Sequence, residues 1–247
     1  MIFHRVFLPL VAILFTATAP AQPVSEPATG DELVAQLRAM QPAENSEITG
    51  VLKIRAPDRR LEIPVVCRIV TNGDSWQVTY ETRATPGTGA EKLVVIHSLN
   101  APNQYLYARA STPAAGLPDL KPLTASEAAI SLAGSDFWLS ELGFEFLHWP
   151  SQKKLPGQMR LGQPCYVLES ADPGAPVFVR VKSYIDKESG GVLIADAFDR
   201  NGKTVKEFSL SGSSFKKING RWQLKKMRIS SPRHDSETTL EFDLPKD

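Results

Sequence analysis

Histidine, cysteine and long apolar runs are all scarce in this chain, and each scarcity removes a class of function. Of its four histidines, His4 lies at the extreme N-terminus, and His97, His148 and His234 stand far from one another and from either cysteine. No zinc-ligand spacing results, and these histidines read as surface or capped side chains. Neither a Gly-x-Ser-x-Gly elbow nor a glycine-rich phosphate loop occurs. Ser135-Asp136, ahead of an apolar segment, reads as a helix N-cap and not as a nucleophile. Asp186, Glu188, Asp196 and Asp199 lack calcium-loop spacing and lie close to Lys182, Lys187 and Arg200, the pattern of a solvated, charge-paired surface. The chain therefore reads as a non-enzyme, with no catalytic residues, no metal and no cofactor. A basic excess is missing too, which argues against nucleic acid as a partner.

The longest apolar run, Val6 to Phe15, is about half of the roughly twenty residues that span a bilayer as a helix. With His4 and Arg5 before it and Ala19-Pro20-Ala21 after it, residues 1–21 have the order of a secretory signal cleaved after Ala21. The mature chain is then expected to be exported, soluble and monomeric. With no cysteine near the cleavage site it lacks the residue that would be acylated, so it should diffuse freely. Residues 22–28, rich in proline and small polar residues, are expected as a disordered leader, and residues 29–247 as one domain. Cys67 and Cys165 both stand in strand-like runs. An oxidising compartment permits their pairing, and free buried thiols are equally compatible with the pattern.

The remaining residues are organised for β-structure. Thr29 and Glu32 form a capping box ahead of Leu33, Val34, Leu37 and Met40, which predicts an amphipathic helix over residues 31–40. Strand-like runs follow at 47–55, 60–70, 75–83, 91–98 and 104–109, with turn chemistry at Asp58-Arg59 and Asn72-Gly73-Asp74. Leu61, Ile63, Val65, Cys67 and Ile69 share one face of the second run, as Trp76, Val78 and Tyr80 do in the third. Pro113, Pro118 and Pro122 predict a loop over 110–124, and Thr124 with Glu127 a short helix over 124–132. The aromatic-rich segment from Gly134 to Trp149 fits no strand; around Phe137, Trp138 and Leu142 it reads as one or two helical turns. From residue 154 to 244 seven runs alternate with hairpin signals such as Asn201-Gly202 and Asn219-Gly220. The expected fold is mainly β (α+β): one antiparallel sheet of about eleven or twelve strands, curled to limit exposed edges and covered by helices.

In this frame Leu61, Ile63, Val65, Trp76, Val78 and Tyr80 are the candidates to line a concave apolar face, with Phe137, Trp138 and Leu142 as a lid over it. The same aromatics equally suit a plug of ordinary core at the barrel end.

Several stretches resemble the outer-membrane lipoprotein-sorting and lipoprotein-carrier family of LolA/LolB type. They are Ala133-Gly134-Ser135-Asp136-Phe137 with Leu142, Gly162-Gln163-Pro164-Cys165-Tyr166-Val167-Leu168-Glu169, Tyr184-Ile185-Asp186-Lys187-Glu188, Phe198-Asp199-Arg200-Asn201-Gly202-Lys203 with Lys206, Ile218-Asn219-Gly220-Arg221-Trp222 and Thr238-Thr239-Leu240. The resemblance implies an unclosed antiparallel β-barrel with covering helices and a hydrophobic cavity that receives acyl chains. By the same resemblance the protein would be a periplasmic carrier for lipidated proteins or other acyl lipids, working between an inner-membrane donor complex and an outer-membrane acceptor. The alternative function is a non-catalytic structural or interaction module of the cell envelope with a filled core.

Overall fold

The computed structural model describes residues 26–99, 101–210, 214–218 and 221–244. The expected signal, residues 1–21, and the leader up to residue 25 lie outside the described residues. Helix α1 (Gly30–Arg38) begins where the capping box placed it, with Glu32 N donating to Thr29 Oγ1 at 3.2 Å. The Glu32 carboxylate turns to Ala28 N at 2.7 Å instead of the cap residue's own amide. The last leader residues are tied down: Lys187 Nζ donates to Glu26 Oε1 at 3.1 Å, and Lys154 Nζ donates to the Pro27 carbonyl.

Five long strands follow, β1 (Ser46–Ala56), β2 (Arg59–Asn72), β3 (Ser75–Thr82), β4 (Glu91–Ser98) and β5 (Ala101–Arg109), then short β6 (Lys121–Leu123) inside the stretch expected as loop. After a long crossing come β7 (Ser151–Arg160), β8 (Gln163–Ala171), β9 (Arg180–Asp186), β10 (Val192–Phe198) and β11 (Thr204–Ser209). The chain ends with β12 (Phe215–Ile218), β13 (Arg221–Leu224), β14 (Lys226–Ser231) and β15 (Ser236–Phe242). Thirteen strands form one antiparallel sheet in the order β6-β5-β4-β3-β2-β1-β15-β14-β11-β10-β9-β8-β7, and β12 and β13 form a separate hairpin. Two of the seven runs expected after residue 154 are each divided into two strands, one into β11 and β12 and the other into β13 and β14. Since β6 and β7 are the two ends of this order, the sheet curls without closing. Among the described residues no helix is long and apolar enough to cross a membrane.

Period-two alternation decides which side chains turn inward. In β2, Ile63, Val65, Cys67 and Ile69 are buried while Glu62, Pro64 and Arg68 are exposed. The turn into β3 is the two-residue Gly73-Asp74 between paired Asn72 and Ser75, with Gly73 at φ +58, the left-handed conformation that glycine adopts freely. One core cluster collects the inner face of the sheet, α1 and the aromatic segment. A smaller one, Cys165, Val167, Tyr184 and Leu193, lies apart from it. Cys67 belongs to the first cluster and Cys165 to the second, and both are free thiols. On β8, Leu168 joins the main core while Cys165 and Val167 do not, so the sheet itself stands between the two cysteines.

Two local expectations are corrected. The Thr124–Glu127 box forms, with Thr124 N to Glu127 Oε2 at 2.8 Å, but only one turn follows in place of a helix over 124–132. The carbonyls that would continue it are taken by Ser140 N on Ala128 O (3.0 Å) and Leu139 N on Ile130 O (2.9 Å). The acidic group from Asp186 to Asp199 is solvated and charge-paired only in part: Glu188 is exposed and Asp199 pairs with Arg233 at 2.6 Å, but Asp186 is buried. Asp186 is 1% exposed and accepts from Ser189 N, while Asp199 binds its own turn at Asn201 N and Lys203 N.

Candidate functional site

Strands β6 and β7 sit at opposite edges of the sheet, so the chain between them has to cross the open seam. That crossing is the aromatic segment, and it caps the hollow of the half-barrel. It contains α2 (Leu139–Leu142), flanked by single 3-10 turns at Leu132–Gly134 and Glu145–His148. Ala133 and Phe144 adopt the left-handed conformation (φ 50 and 52), which reverses the chain before and after α2.

Polar groups from many strands peg this cap. Buried Glu91 of β4 accepts from Ala133 N at 2.7 Å, and Arg59 of β2 donates to Gly134 O at 3.0 Å. Asp136 donates its amide to Thr238 Oγ1 at 2.9 Å, and its carboxylate accepts from Ser236 Oγ (2.5 Å) and Thr238 Oγ1 (2.8 Å) of β15. Asp136 is therefore a tether to the sheet; the N-cap of α2 is Trp138, whose N–H is taken by Glu141 Oε2 at 2.8 Å. Lys206 of β11 places Nζ 2.7 Å from Asp136 O, 2.7 Å from Glu141 Oε2 and 3.7 Å from the centre of the Trp138 ring. Burial raises the pKa of the Glu141 carboxyl against the pull of Lys206, and burial likewise lowers that of the Lys206 amine. Further along, Asn103 Nδ2 donates to Gly143 O at 2.6 Å, Tyr105 Oη to Glu145 Oε2 at 2.8 Å, and Arg38 Nη2 to Leu147 O.

Between cap and sheet the packing is incomplete. An outer cleft of about 350 Å³ lies among the turn at 124–129, Trp138, Trp149 and the 172–178 loop. An inner cavity of about 40 Å³ is lined by Phe137, Phe144, Phe146, Phe178, Val181, Ala195, Ala197, Phe208 and Ile229, with Glu141 and Lys206 at its edge. A third, of about 60 Å³, lies against α1 and is bordered by Leu37, Met40, Trp76, His97 and Phe144. Phe146, Phe178 and Glu141 border both the cleft and the inner cavity, and Phe144 borders both the inner cavity and the third. The three spaces thus form a row beneath the cap, divided chiefly by phenylalanine rings. Phe178 stacks on Trp138 at 5.4 Å between centroids and leans on Trp149 at 5.8 Å.

The structure brings all nine residues singled out from the sequence into one core cluster. Ile63, Val65, Val78, Tyr80 and Leu142 are buried and border none of these three cavities, and half-buried Leu61 does not either. Trp76 borders the cavity beside α1, Phe137 the inner cavity and Trp138 the outer cleft. Phe137 and Leu142 are 2% and 1% exposed. Phe178 was missed because Val177-Phe178-Val179 reads as the start of a strand; the preceding Pro173-Gly174-Ala175-Pro176 was the signal that it sits in a loop. His97 also departs from the surface reading: it is 8% exposed and stacks on Trp76 at 4.9 Å. Its place after Leu93 and Val95, on the inward side of β4, was legible from the alternation.

Solved structures with this architecture come from several bacteria. A domain from Vibrio parahaemolyticus named for outer membrane lipoprotein sorting superposes with a TM-score of 0.69 at 15% identity, over 87% of this chain and 90% of its own. A DUF1329 family protein from Desulfovibrio piger gives 0.67 at 17% identity, over 87% and 90%. A LolA superfamily protein from Nitrosomonas europaea gives 0.53 at 12%, over 88% and 95%. These likenesses bear out the LolA-type resemblance at the level of the fold. No curated protein matches the sequence. Residues 84–246 match the model of a family described as "-like: Uncharacterized protein", and by that match, over well more than half of its length, the chain belongs to this family.

Proposed function

We propose that this protein is a non-catalytic, periplasmic carrier that shelters the acyl chains of lipidated proteins, or of a similar lipid, beneath its cap during transfer between an inner-membrane donor and an outer-membrane acceptor. The observation that carries the proposal is the row of cavities divided by aromatic rings inside an unclosed half-barrel. The outer cleft alone falls within the roughly 300–1,000 Å³ typical of small-molecule sites. Each methylene moved out of water contributes about 0.8 kcal/mol, so one long acyl chain gains on the order of 10 kcal/mol on entry. A gain of that size exceeds the cost of turning a few phenylalanines aside, and the smaller cavities then join the cleft.

In this reading the cap stays pegged, and the part that yields is the 172–178 loop with Phe178, which the cap holds through ring contacts. Trp138, fixed between Lys206 and Phe178, forms the wall of the entrance. The burial of Ile63, Val65, Val78 and Tyr80 away from all three cavities favours the alternative, an envelope interaction module with a filled core. A fluorescent sixteen-carbon fatty acid titrated into the purified protein separates the two. The carrier binds it saturably and loses affinity when Trp138 is replaced by glutamate with the fold retained. Absence of saturable binding would leave the filled module standing.

A further inference from the structure

The outer cleft has an aromatic wall and a polar wall, and the polar one carries charge of a single sign. Glu141, Glu145 and Asp172 border the cleft, and among the described residues no lysine, arginine or histidine does. Each glutamate spends Oε2 inside the protein, Glu141 on Trp138 N and Lys206 Nζ, Glu145 on Tyr105 Oη. Among the described residues no hydrogen bond ends on Oε1 of either, and neither Oε1 is sealed from solvent. The nearest cations are engaged behind the wall, Lys206 also with the Asp136 carbonyl and Arg38 with the Leu147 carbonyl. Burial raises the pKa of both glutamate carboxyls, so an added cation relieves a cost that the fold already bears.

A hydroxyl stands beside these carboxylates with nothing to bond. Ser140 is 8% exposed and borders the cleft. Its amide donates to Ala128 O and its carbonyl accepts from Tyr105 Oη, but its Oγ has no partner among the described residues. That oxygen is not enclosed, and the cleft is the space that Ser140 borders. Tyr105 Oη lies 3.5 Å from the Ser140 carbonyl and 2.8 Å from Glu145 Oε2, which sets the Glu145 carboxylate close to Ser140. Glu141 is the next residue of α2. One wall of the cleft thus gathers three oxygens able to accept.

From this wall we infer that the outer cleft is a head-group subsite for a primary ammonium carried on an acyl or alkyl chain, whose three N–H groups donate to Ser140 Oγ and to Oε1 of Glu141 and Glu145. A phosphate or carboxylate meets like charge there, and an alcohol brings a single donor. The chain then lies along Trp149 and Phe178 toward the inner cavity, which Phe178 borders as well. The inference rests on the acyl-carrier reading and refines it: burial of the chain supplies affinity, and the polar wall chooses the head group. Such an ammonium has two sources, a lysine beside the acylated residue of a protein and the head group of an aminolipid.

Displacement of the bound fluorescent fatty acid supplies the test, with hexadecylamine, hexadecanol, hexadecyltrimethylammonium and palmitate as competitors below their micellar concentrations. The charge-assisted contacts predict that hexadecylamine competes about tenfold better than hexadecanol and that palmitate competes least. Hexadecyltrimethylammonium, which keeps the charge and has no N–H, competes less well than hexadecylamine. The amine-to-alcohol ratio falls in each of Glu145→Gln and Ser140→Ala, and far-ultraviolet circular dichroism verifies that both variants are folded. An N-palmitoylated hexapeptide with lysine at its second position and lysophosphatidylethanolamine, each set against its N-acetylated form, separate the sources: the one that loses affinity on acetylation carries the head group that the cleft takes. Equal competition by the amine and either the alcohol or the trimethylammonium, better competition by palmitate, or an amine preference that survives both substitutions overturns the inference while leaving the carrier reading intact. A probe that binds nowhere overturns the carrier reading itself.

Discussion

Lys206 shows at the scale of one residue how the cap is held. Its amine is 4% exposed and meets a carbonyl, a carboxylate and an indole face. Both ionised partners give up hydration, so the pair is a weak source of net stability yet harmful to break. Lys206→Met is expected to cost about 3–5 kcal/mol, because it leaves the buried Glu141 carboxyl without its cation. The double variant Lys206→Met/Glu141→Leu should recover much of that loss, and urea unfolding of the set checks both. His97 supplies a second expectation. Its folded pKa of about 4 lies below the usual value near 6.5, so the unfolded chain takes up more protons between those limits and stability falls as pH drops through that window. His148 acts in the same sense, whereas Glu141 and Glu145, raised by burial, act in the opposite one at the acid end. Comparing melting temperatures of wild type and His97→Phe at pH 7 and pH 5 isolates the His97 part: the variant should lose less on acidification.

At the scale of elements, the sheet was far more legible than what covers it. Alternation in β2 and β3 marked their inner faces correctly, since a strand's facing depends on a period that neighbouring elements do not alter. The helix expected over 124–132 failed because its carbonyls had distant claimants, Leu139 N and Ser140 N, that no local pattern reveals. Helix α1 lies between these cases. Its capping box and apolar stripe were readable, but its docking on the edge strand β7 depends on a bare backbone: a Cβ on Gly30 would sit 2.3 Å from the Gln152 carbonyl oxygen. Gly30→Ala should push the helix off that edge. Hydrogen exchange would show faster opening of β7 amides, with β1 and β15 unaffected.

At the scale of the molecule, the decisive feature is a chain that builds one edge of the sheet, crosses the seam, and builds the other. That route makes a cap unavoidable and leaves the space under it to side-chain packing. Phe178→Ala should join the outer cleft to the inner cavity. The expected result is faster uptake of the fluorescent fatty acid by stopped-flow, with a modest loss of thermal stability from the missing ring. The amino-acid sequence by itself determined the antiparallel strands, their inward faces and the isolated aromatic segment, because turn chemistry and period-two burial act over a few residues. Only the tertiary structure decided that Cys67 and Cys165 stand on opposite sides of the sheet. It also decided that Asp136 and Lys206 tether the cap, and that Phe178 and Phe144 divide the space beneath it. Those outcomes depend on contacts between segments as much as 102 residues apart, brought together by the curl of the sheet.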